Sequence, residues 1–501
     1  GAAVLRAGWA GLIGQGRGAF AYPDSVNDLL QTGRLDPAKC CVTCSACTQI
    51  MRDGGRTGCV VRDKEVYGPE YRHARRFALD RLQAEAKRCR ECEVPTCRAG
   101  CPAQVDIPRF LKAFAESDIA GAYAVLRQNN VLPEMCGYVC PSETQCEGGC
   151  VESVFCGKTV PIRDIQLVTC RIARWKGLTG IRIPDPASGK DVAVVGAGPA
   201  GLACAIRLLE LGHSVSLYDR VRRLGGTPDA MIPGPRYGEA DDEVNAILAP
   251  ASEGGRLRFH LGKTLGTDLE LQALREKHDA VFLGLGLSDS TSLGKAEGVA
   301  DAIAFLREVK KGRRTSVPAR VAVLGGGNTA MDAAATAKRL GARDVYLVYR
   351  RSFEEMPAWP NERDHALAAG VHFLILTAPL GYETDAQGRL TGVKVCRTEL
   401  DDPDASGRRK PVNVPKSECV LTIDLAIEAL GQGIAAEIRR ALAALAFTKN
   451  GFVALKPDSA ATSLPGVYAG GDLANGGTTA VQGMAEGMKA AAEIAAALRV
   501  H

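Results

Sequence analysis

Residues 191–201 read Asp191-Val-Ala-Val-Val-Gly196-Ala-Gly198-Pro199-Ala200-Gly201, and residues 320–330 read Arg320-Val-Ala-Val-Leu-Gly325-Gly-Gly327-Asn328-Thr329-Ala330. Each begins as a short apolar run of the kind found in strands buried on both faces. Each then turns through glycines into a stretch with helical spacing. Strand, glycine turn and helix in that order make a dinucleotide-binding fingerprint. The first glycine allows the tight turn, the second lets the backbone approach a pyrophosphate, and the third lets helix and strand pack closely. The helix start then offers free N–H groups and the positive dipole end to the phosphates. Two such openings about 130 residues apart predict an α/β chain with two Rossmann-like dinucleotide-binding domains.

The two motifs differ where it matters for the ligand. After the first, Ser214-Val-Ser-Leu-Tyr218 ends in Asp219-Arg220, which sets a carboxylate where an adenosine ribose offers hydroxyls, and Gly225-Gly226 follows. After the second, Asp344-Val-Tyr-Leu-Val348 ends in Tyr349-Arg350-Arg351, with guanidinium groups in place of the acid. That exchange favours a 2′-phosphate and therefore NADPH over NADH, unless the two arginines are solvated surface cations.

The chain has 501 residues, 62 Lys+Arg against 57 Asp+Glu, and 24% charged and 46% hydrophobic residues, the composition of a globular protein. A net charge of +5 over that length argues against nucleic acid or an acidic membrane as partner. No apolar run approaches the roughly 18 residues of a membrane span, and no export signal is present, so a cytoplasmic location is expected. The cysteines are uneven: 13 of the 18 lie between Cys40 and Cys150. In a large chain without export signals this points to metal or cluster ligation rather than disulfides. Cys89-x2-Cys92-x4-Cys97-x3-Cys101-Pro102 is similar to the run of bacterial ferredoxins, whose last cysteine before a proline serves the other of two clusters. Cys136-x3-Cys140-Pro141-x4-Cys146-x3-Cys150 follows it. Zinc remains the alternative, although zinc ribbons prefer paired CxxC units. Helical spacing over 74–86 and 107–126 predicts a mostly helical front, Pro184–Gly189 a linker, 401–410 a polar surface loop, and 479–498 a closing helix.

The two-motif layout, with Gly470-Gly471-Asp472 near the C-terminus, resembles the two-dinucleotide flavoprotein family. The resemblance implies FAD in the first domain and the NADPH domain inserted into it. It also implies that Gly471 and Asp472 contact the ribityl–phosphate region and that the helix after Thr479 points at the isoalloxazine. From about residue 80 onward the chain resembles the glutamate synthase small subunit and the N-terminal half of dihydropyrimidine dehydrogenase, through Cys89–Pro102, Cys136–Pro141, Cys146–Cys150, Gly325–Asp332 and Val348–Arg351. There two 4Fe–4S clusters share interleaved ligands. Carried over, Cys89, Cys92, Cys97 and Cys150 hold one, and Cys101, Cys140 and Cys146 hold the other with Gln166 as a non-cysteine fourth ligand. Gln166 as a plain helix-surface residue is the alternative. Cys136 has no ligand role and reads as a buried structural cysteine.

A third set, Cys41-x2-Cys44-x2-Cys47-x11-Cys59, follows Gly14-Gln-Gly-Arg17-Gly18 and Ala21-Tyr22-Pro-Asp24. It resembles the C-terminal edge of the old yellow enzyme barrel in its iron–sulfur branch, with Tyr22 where that family has Asp. The resemblance implies that Arg17 touches an FMN phosphate and that Cys41, or Cys40, with Cys44, Cys47 and Cys59 holds a third 4Fe–4S cluster; zinc stays open here too. The expected order is a barrel-edge segment at 1–64, a helical double-cluster domain at 65–184, an FAD domain at 185–290 and 425–501, and an NADPH domain at 291–424. No catalytic side-chain set is evident, so the chemistry belongs to cofactors. The expected activity is NADPH oxidation through FAD and 4Fe–4S clusters to a second redox site. That site is FMN in an old-yellow-enzyme barrel reducing an activated C=C bond, the barrel lying upstream in a longer chain or on a partner. The alternative is a dissociable electron-transfer subunit of an oligomer, serving a large synthase subunit or a ferredoxin.

Overall fold

A computed structural model describes residues 6–8, 16–52, 56–238, 240–403 and 409–499; Gly14, Gln15 and the tip of the polar stretch at 404–408 fall outside them. The front is helical. Ser25–Thr32 (α1) and Ala46–Arg52 (α2) flank the first cysteines, and Lys64–Arg76 (α3) leads to Leu79–Ala86 (α4). The helix expected over 74–86 is thus two, broken at the extended Ala78. The break lets Leu82 and Ala86 enter the core while Arg76 reaches Asp164 with two hydrogen bonds of 2.7 Å. The pattern over 107–126 divides likewise into Ile107–Ala115 (α5) and Ile119–Asn129 (α6). Ser117 takes φ +67° there, and the Asp118 carboxylate accepts from Gly121 N–H at 2.8 Å, starting a new helix where apolar spacing alone ran on. Pro133–Val139 (α7) and Ile162–Trp175 (α8) complete this part. α8 turns Ile162, Ile165, Val168 and Ala173 inward.

The first fingerprint forms Asp191–Val195 (β1) and Pro199–Glu210 (α9). Ser214–Asp219 (β2), Asp241–Glu253 (α10), Leu257–Leu261 (β3) and Ala280–Leu283 (β4) follow. The second dinucleotide unit opens with Val299–Asp301 (β5) and contains Arg320–Leu324 (β6), Asn328–Arg339 (α11), Asp344–Val348 (β7) and His372–Leu374 (β8). An antiparallel sheet of Thr377–Thr384 (β9), Leu390–Pro403 (β10), Arg409–Asn413 (β11) and Cys419–Thr422 (β12) is followed by Leu425–Glu428 (β13). The chain then adds Val467–Ala469 (β14) and Ala480–Arg499 (α12).

The first parallel sheet has the order β14-β4-β1-β2-β3 and the second β5-β13-β6-β7-β8. Both put the fingerprint strand in the middle, where strand order reverses and a crevice opens at the carboxyl ends. Two expectations are corrected. Leu425–Glu428 pairs with Arg320–Leu324 in the second sheet, so the return to the first unit comes after residue 428 and not at 425. Residues 401–403 and 409–410 belong to paired strands rather than a loop; exposed nearly throughout, they lack the polar–apolar alternation that marks a half-buried strand.

One continuous apolar core joins the helical front to the first sheet, with Phe110, Met135 and Ile165 in the same cluster as Leu202, Ile247 and Ile494. The second sheet has its own core around Val321, Met331 and Leu347. Its ties to the first unit include polar ones: Arg236 reaches Glu362 at 2.8 Å and Asp332 at 3.3 Å, and Lys310 donates to the Pro228 carbonyl at 3.1 Å. In the shared core α12 lies directly on α9, and a Cβ at Gly487 would collide with the Ala200 carbonyl and crowd Cys204 N. Gly487→Ala is therefore expected to destabilise the protein by about 1–3 kcal/mol through overpacking. Thermal denaturation measures this, and an unchanged midpoint would mean that the two helices separate freely.

Candidate functional site

The two cysteine loops of the helical part interleave at backbone distance. A Cβ at Gly149 would stand 2.6 Å from the Thr96 carbonyl oxygen, and one at Gly100 2.6 Å from that of Gln145. The Thr96 hydroxyl donates to the Gly149 carbonyl at 2.5 Å. These contacts carry Cys150 back to Cys89, Cys92 and Cys97, four sulfurs that surround a single small cavity capped by Ile107 and Leu111. Burial, reinforced by the other sulfurs, pushes the Cys97 thiol up to about 12 and raises Cys89. Thiolates at such positions need a cation to balance them, which is the chemistry iron supplies. Among the described residues no three His, Cys, Asp or Glu close on a single ion.

Cys101, Cys140 and Cys146 form a second group: burial, with the Cys140 sulfur nearby, raises both Cys101 and Cys146. Cys136 is buried one turn before Cys140. Gln166 projects from α8, and its Nε2 donates to the Pro133 carbonyl at 2.6 Å. The amide oxygen makes no hydrogen bond among the described residues and is the atom free to act as a ligand.

In the front segment the Thr43 N–H donates to Cys41 Sγ at 3.3 Å, with Thr43 at φ +57°. Glu91 stands in the same place relative to Cys89 and likewise has a positive φ, +48°. Neither residue is a glycine, so each holds a conformation costing about 1 kcal/mol or more, which at Thr43 the N–H···S bond helps offset. Arg62 brings Cys59 to this loop: its N–H donates to Cys59 Sγ at 3.4 Å and its guanidinium to the Cys40 carbonyl at 2.8 and 3.1 Å. Cys44 is exposed and Cys47 buried. Arg17 donates to the Ser45 hydroxyl at 2.5 Å, within the same loop.

At the first fingerprint a Cβ on Gly201 would collide with the Gly196 carbonyl, which explains that glycine by packing. Gly198, by contrast, faces open space apart from the Cα of Gly226 at 3.8 Å, leaving the approach a pyrophosphate needs. Pro199 opens α9, and Ala200 lies against Gly471. The Asp219 carboxylate accepts from Ala197 N–H at 2.6 Å and Val221 N–H at 2.8 Å, which fixes it at the end of β2 beside the exposed Arg220. Burial raises the Asp472 carboxyl, which accepts from Thr478 N–H at 3.4 Å, and the Thr479 hydroxyl caps α12 by accepting from Gln482 N–H at 3.3 Å. Glu486, missed in the sequence, accepts from Gly471 N–H at 2.7 Å and from Asn475 and Gln482. Its spacing from Gln482, one helical turn, was the available signal.

At the second fingerprint a Cβ on Gly326 would meet the Tyr349 ring at 2.5 Å, while Gly327 has nothing within 4 Å and stays open to a ligand. Ala330 is fully buried, Thr329 sits in the first turn of α11, and the Asn328 side-chain oxygen accepts from Trp359 N–H at 3.0 Å. Arg350 is exposed, with no hydrogen bond from its guanidinium among the described residues; Arg351 donates to the Arg409 carbonyl at 2.8 Å. The residues present thus fit two dinucleotides and iron–sulfur clusters.

Comparison with known proteins agrees with this geometry. Residues 71–177 match the family described as dihydropyrimidine dehydrogenase domain II, 4Fe-4S cluster, and residues 190–487 match pyridine nucleotide-disulphide oxidoreductase. The chain is 35% identical over 457 residues to the glutamate synthase [NADPH] small chain of Escherichia coli, covering 85% of this chain and 92% of that one. It is 34% identical over 432 residues to the NADP(+)-dependent formate dehydrogenase subunit beta of Moorella thermoacetica, covering 80% of this chain and 60% of that one. To the NADPH-Fe(3+) oxidoreductase subunit beta of Geobacter sulfurreducens it is 36% identical over 346 residues, 67% of this chain and 50% of that one. Among the described residues no helix is long and apolar enough to cross a membrane.

The interleaved loops yield a direct test. Gly149→Ala is expected to lower the iron content of the purified protein while leaving its flavin content intact, because the collision lies between two backbones that cannot yield without parting the sulfurs. Colorimetric iron and flavin analysis reads both, and unchanged iron would show that the loops have slack.

Proposed function

The chain belongs to the glutamate synthase small-chain family of NADPH-dependent FAD/iron–sulfur oxidoreductases, and on that premise we propose which residues carry its electron transfer and to what. FAD, when bound, takes a hydride from NADPH and passes electrons on singly through 4Fe–4S clusters. The observation that carries the reading is the sorting of seven cysteines into two groups, six of them packed against the same core as the first dinucleotide fold. Cys89, Cys92, Cys97 and Cys150 hold one cluster; Cys101, Cys140, Cys146 and the Gln166 amide oxygen hold the other. Gly196, Gly198, Pro199, Ala200, Gly201, Asp219, Arg220 and Gly226, with Gly471, Asp472 and Thr479, hold FAD. Gly325, Gly327, Asn328, Thr329 and Ala330 hold NADPH, and Arg350 with Arg351 receives its 2′-phosphate.

Cys41, Cys44, Cys47 and Cys59 hold a third cluster. In support, Cys41 accepts an N–H···S bond from Thr43, whereas Cys40 donates its S–H to the Asp36 carbonyl at 3.3 Å, which favours Cys41 as the ligand. The electrons leave to a redox partner, as the subunit names of the relatives suggest. A specific observation favours a partner at the front segment: Phe20, Val26, Leu29 and Leu30 leave an apolar face open, with Leu30 80% exposed. An FMN-bearing old-yellow-enzyme-type barrel there is the finer reading, resting on residues 17–59 and their Arg17.

Anaerobic NADPH is expected to bleach the flavin and then produce the paramagnetic signals of reduced clusters, with about 12 iron atoms per chain for three clusters and about eight for two. A flavin that NADPH does not bleach would overturn the reading. Cys44→Ser is expected to remove about four of those irons and leave flavin reduction in place. Arg350→Glu, by removing a charge-assisted contact of about 1.5–3 kcal/mol, is expected to weaken NADPH about 10–100-fold and spare NADH in steady-state assays; equal effects on both would place Arg350 away from the 2′-phosphate.

A further inference from the structure

α7 has an unusual beginning. Its N-cap residue is Leu132, which has no side-chain acceptor, and its first position is Pro133, which has no N–H. The next two amides, of Glu134 and Met135, are buried and need acceptors from elsewhere. Both find them in one side chain more than a hundred residues away. Glu243, in the first turn of α10, accepts from Glu134 N–H through one oxygen and from Met135 N–H through the other, each at 2.7 Å. Glu243 is itself buried, so a carboxylate from the flavin-side domain caps a helix of the cluster domain.

That helix does more than fill space. The Pro133 carbonyl at its start accepts the Gln166 amide at 2.6 Å, and Cys140 follows directly at its end. Any tilt of α7 therefore moves a sulfur and a ligand amide together. The α8 side is fastened to the same junction, since Arg174 donates to the Glu134 carboxylate at 3.2 Å and to Asp242, the neighbour of Glu243, at 3.0 Å. Holding a carboxylate here works against burial, which pushes Glu243 up to about 8 despite the two N–H bonds that favour its charge.

We propose that Glu243 is a positioning residue for electron transfer, through which the FAD-binding domain holds α7, and with it Cys140 and Gln166, in the geometry the second cluster requires. The inference rests on the ligand assignment proposed above. It assigns to a carboxylate outside both cysteine runs the orienting role that outer partners of metal ligands generally play.

Glu243→Gln tests it, because the amide keeps the volume and one acceptor but turns an N–H against an amide N–H. The expected result is full flavin content, a changed electron paramagnetic resonance signal for one cluster with the other unaltered, and about 10–100-fold slower passage of electrons from reduced flavin to that cluster in stopped-flow traces. The rate at which NADPH bleaches the flavin is read alongside, since general loss of structure would lower it as well. If Glu243→Gln does not fold, Glu243→Asp, which keeps the carboxyl group and shortens the reach, is measured the same way. Both clusters unaltered in the folded variant, with wild-type electron passage, would overturn the inference. Absence of any cluster signal in the wild-type protein would instead overturn the ligand reading beneath it.

Discussion

Backbone pressed against backbone, at Gly149 over Thr96 and at Gly100 over Gln145, is the constraint from which the front of the molecule is built. Sulfurs from segments fifty residues apart converge only if the loops bearing them interpenetrate, and a side chain on either glycine would hold them apart. Once the loops are locked, the helices between them have little choice. α5 and α6 must fold back within the span from Cys101 to Cys136, and α7 must end where Cys140 joins its group. Burial then makes a lone thiolate at Cys97 costly, a charge that a bound cation would balance.

Much of this was legible in the sequence, and the reason is local. The glycine fingerprints follow from contacts a few residues long, as between Gly201 and the Gly196 carbonyl, so their spacing survives in the chain as a readable pattern. The closing helix, expected from Thr479, runs from Ala480 with Thr479 as its cap. The helix breaks at Ala78 and Ser117 were not legible from apolar spacing, which continues in register across both. Asp118 was the clue at the second break. Glu243 left no signal at all: its partners are amides, and an amide has the same identity in every residue but proline.

The two dinucleotide units are attached differently to the rest. The first shares its core with the cluster-bearing helices, and Arg127 to Glu210 at 2.6 Å and Arg207 to the Gln128 carbonyl at 2.8 Å reinforce that joint. The second builds a separate core, into which Met231 of the first unit packs, and meets the first also through polar ties such as Arg236 to Glu362. Apolar contact is lost all at once when surfaces separate, whereas ion pairs exchange for water at small net cost. The joint that shares a core is accordingly the harder of the two to open.

The proline-rich stretch at 184–189 has the composition of a boundary, yet the core runs past it, with Ile181 N–H donating to the Ile247 carbonyl and Gly180 resting against Pro250. Divided there, each half would carry a bare apolar wall fitted to the other, and α7 would lose its acceptor. The helical front and the first dinucleotide fold are consequently one folding unit, which no cut at the prolines divides into two stable halves.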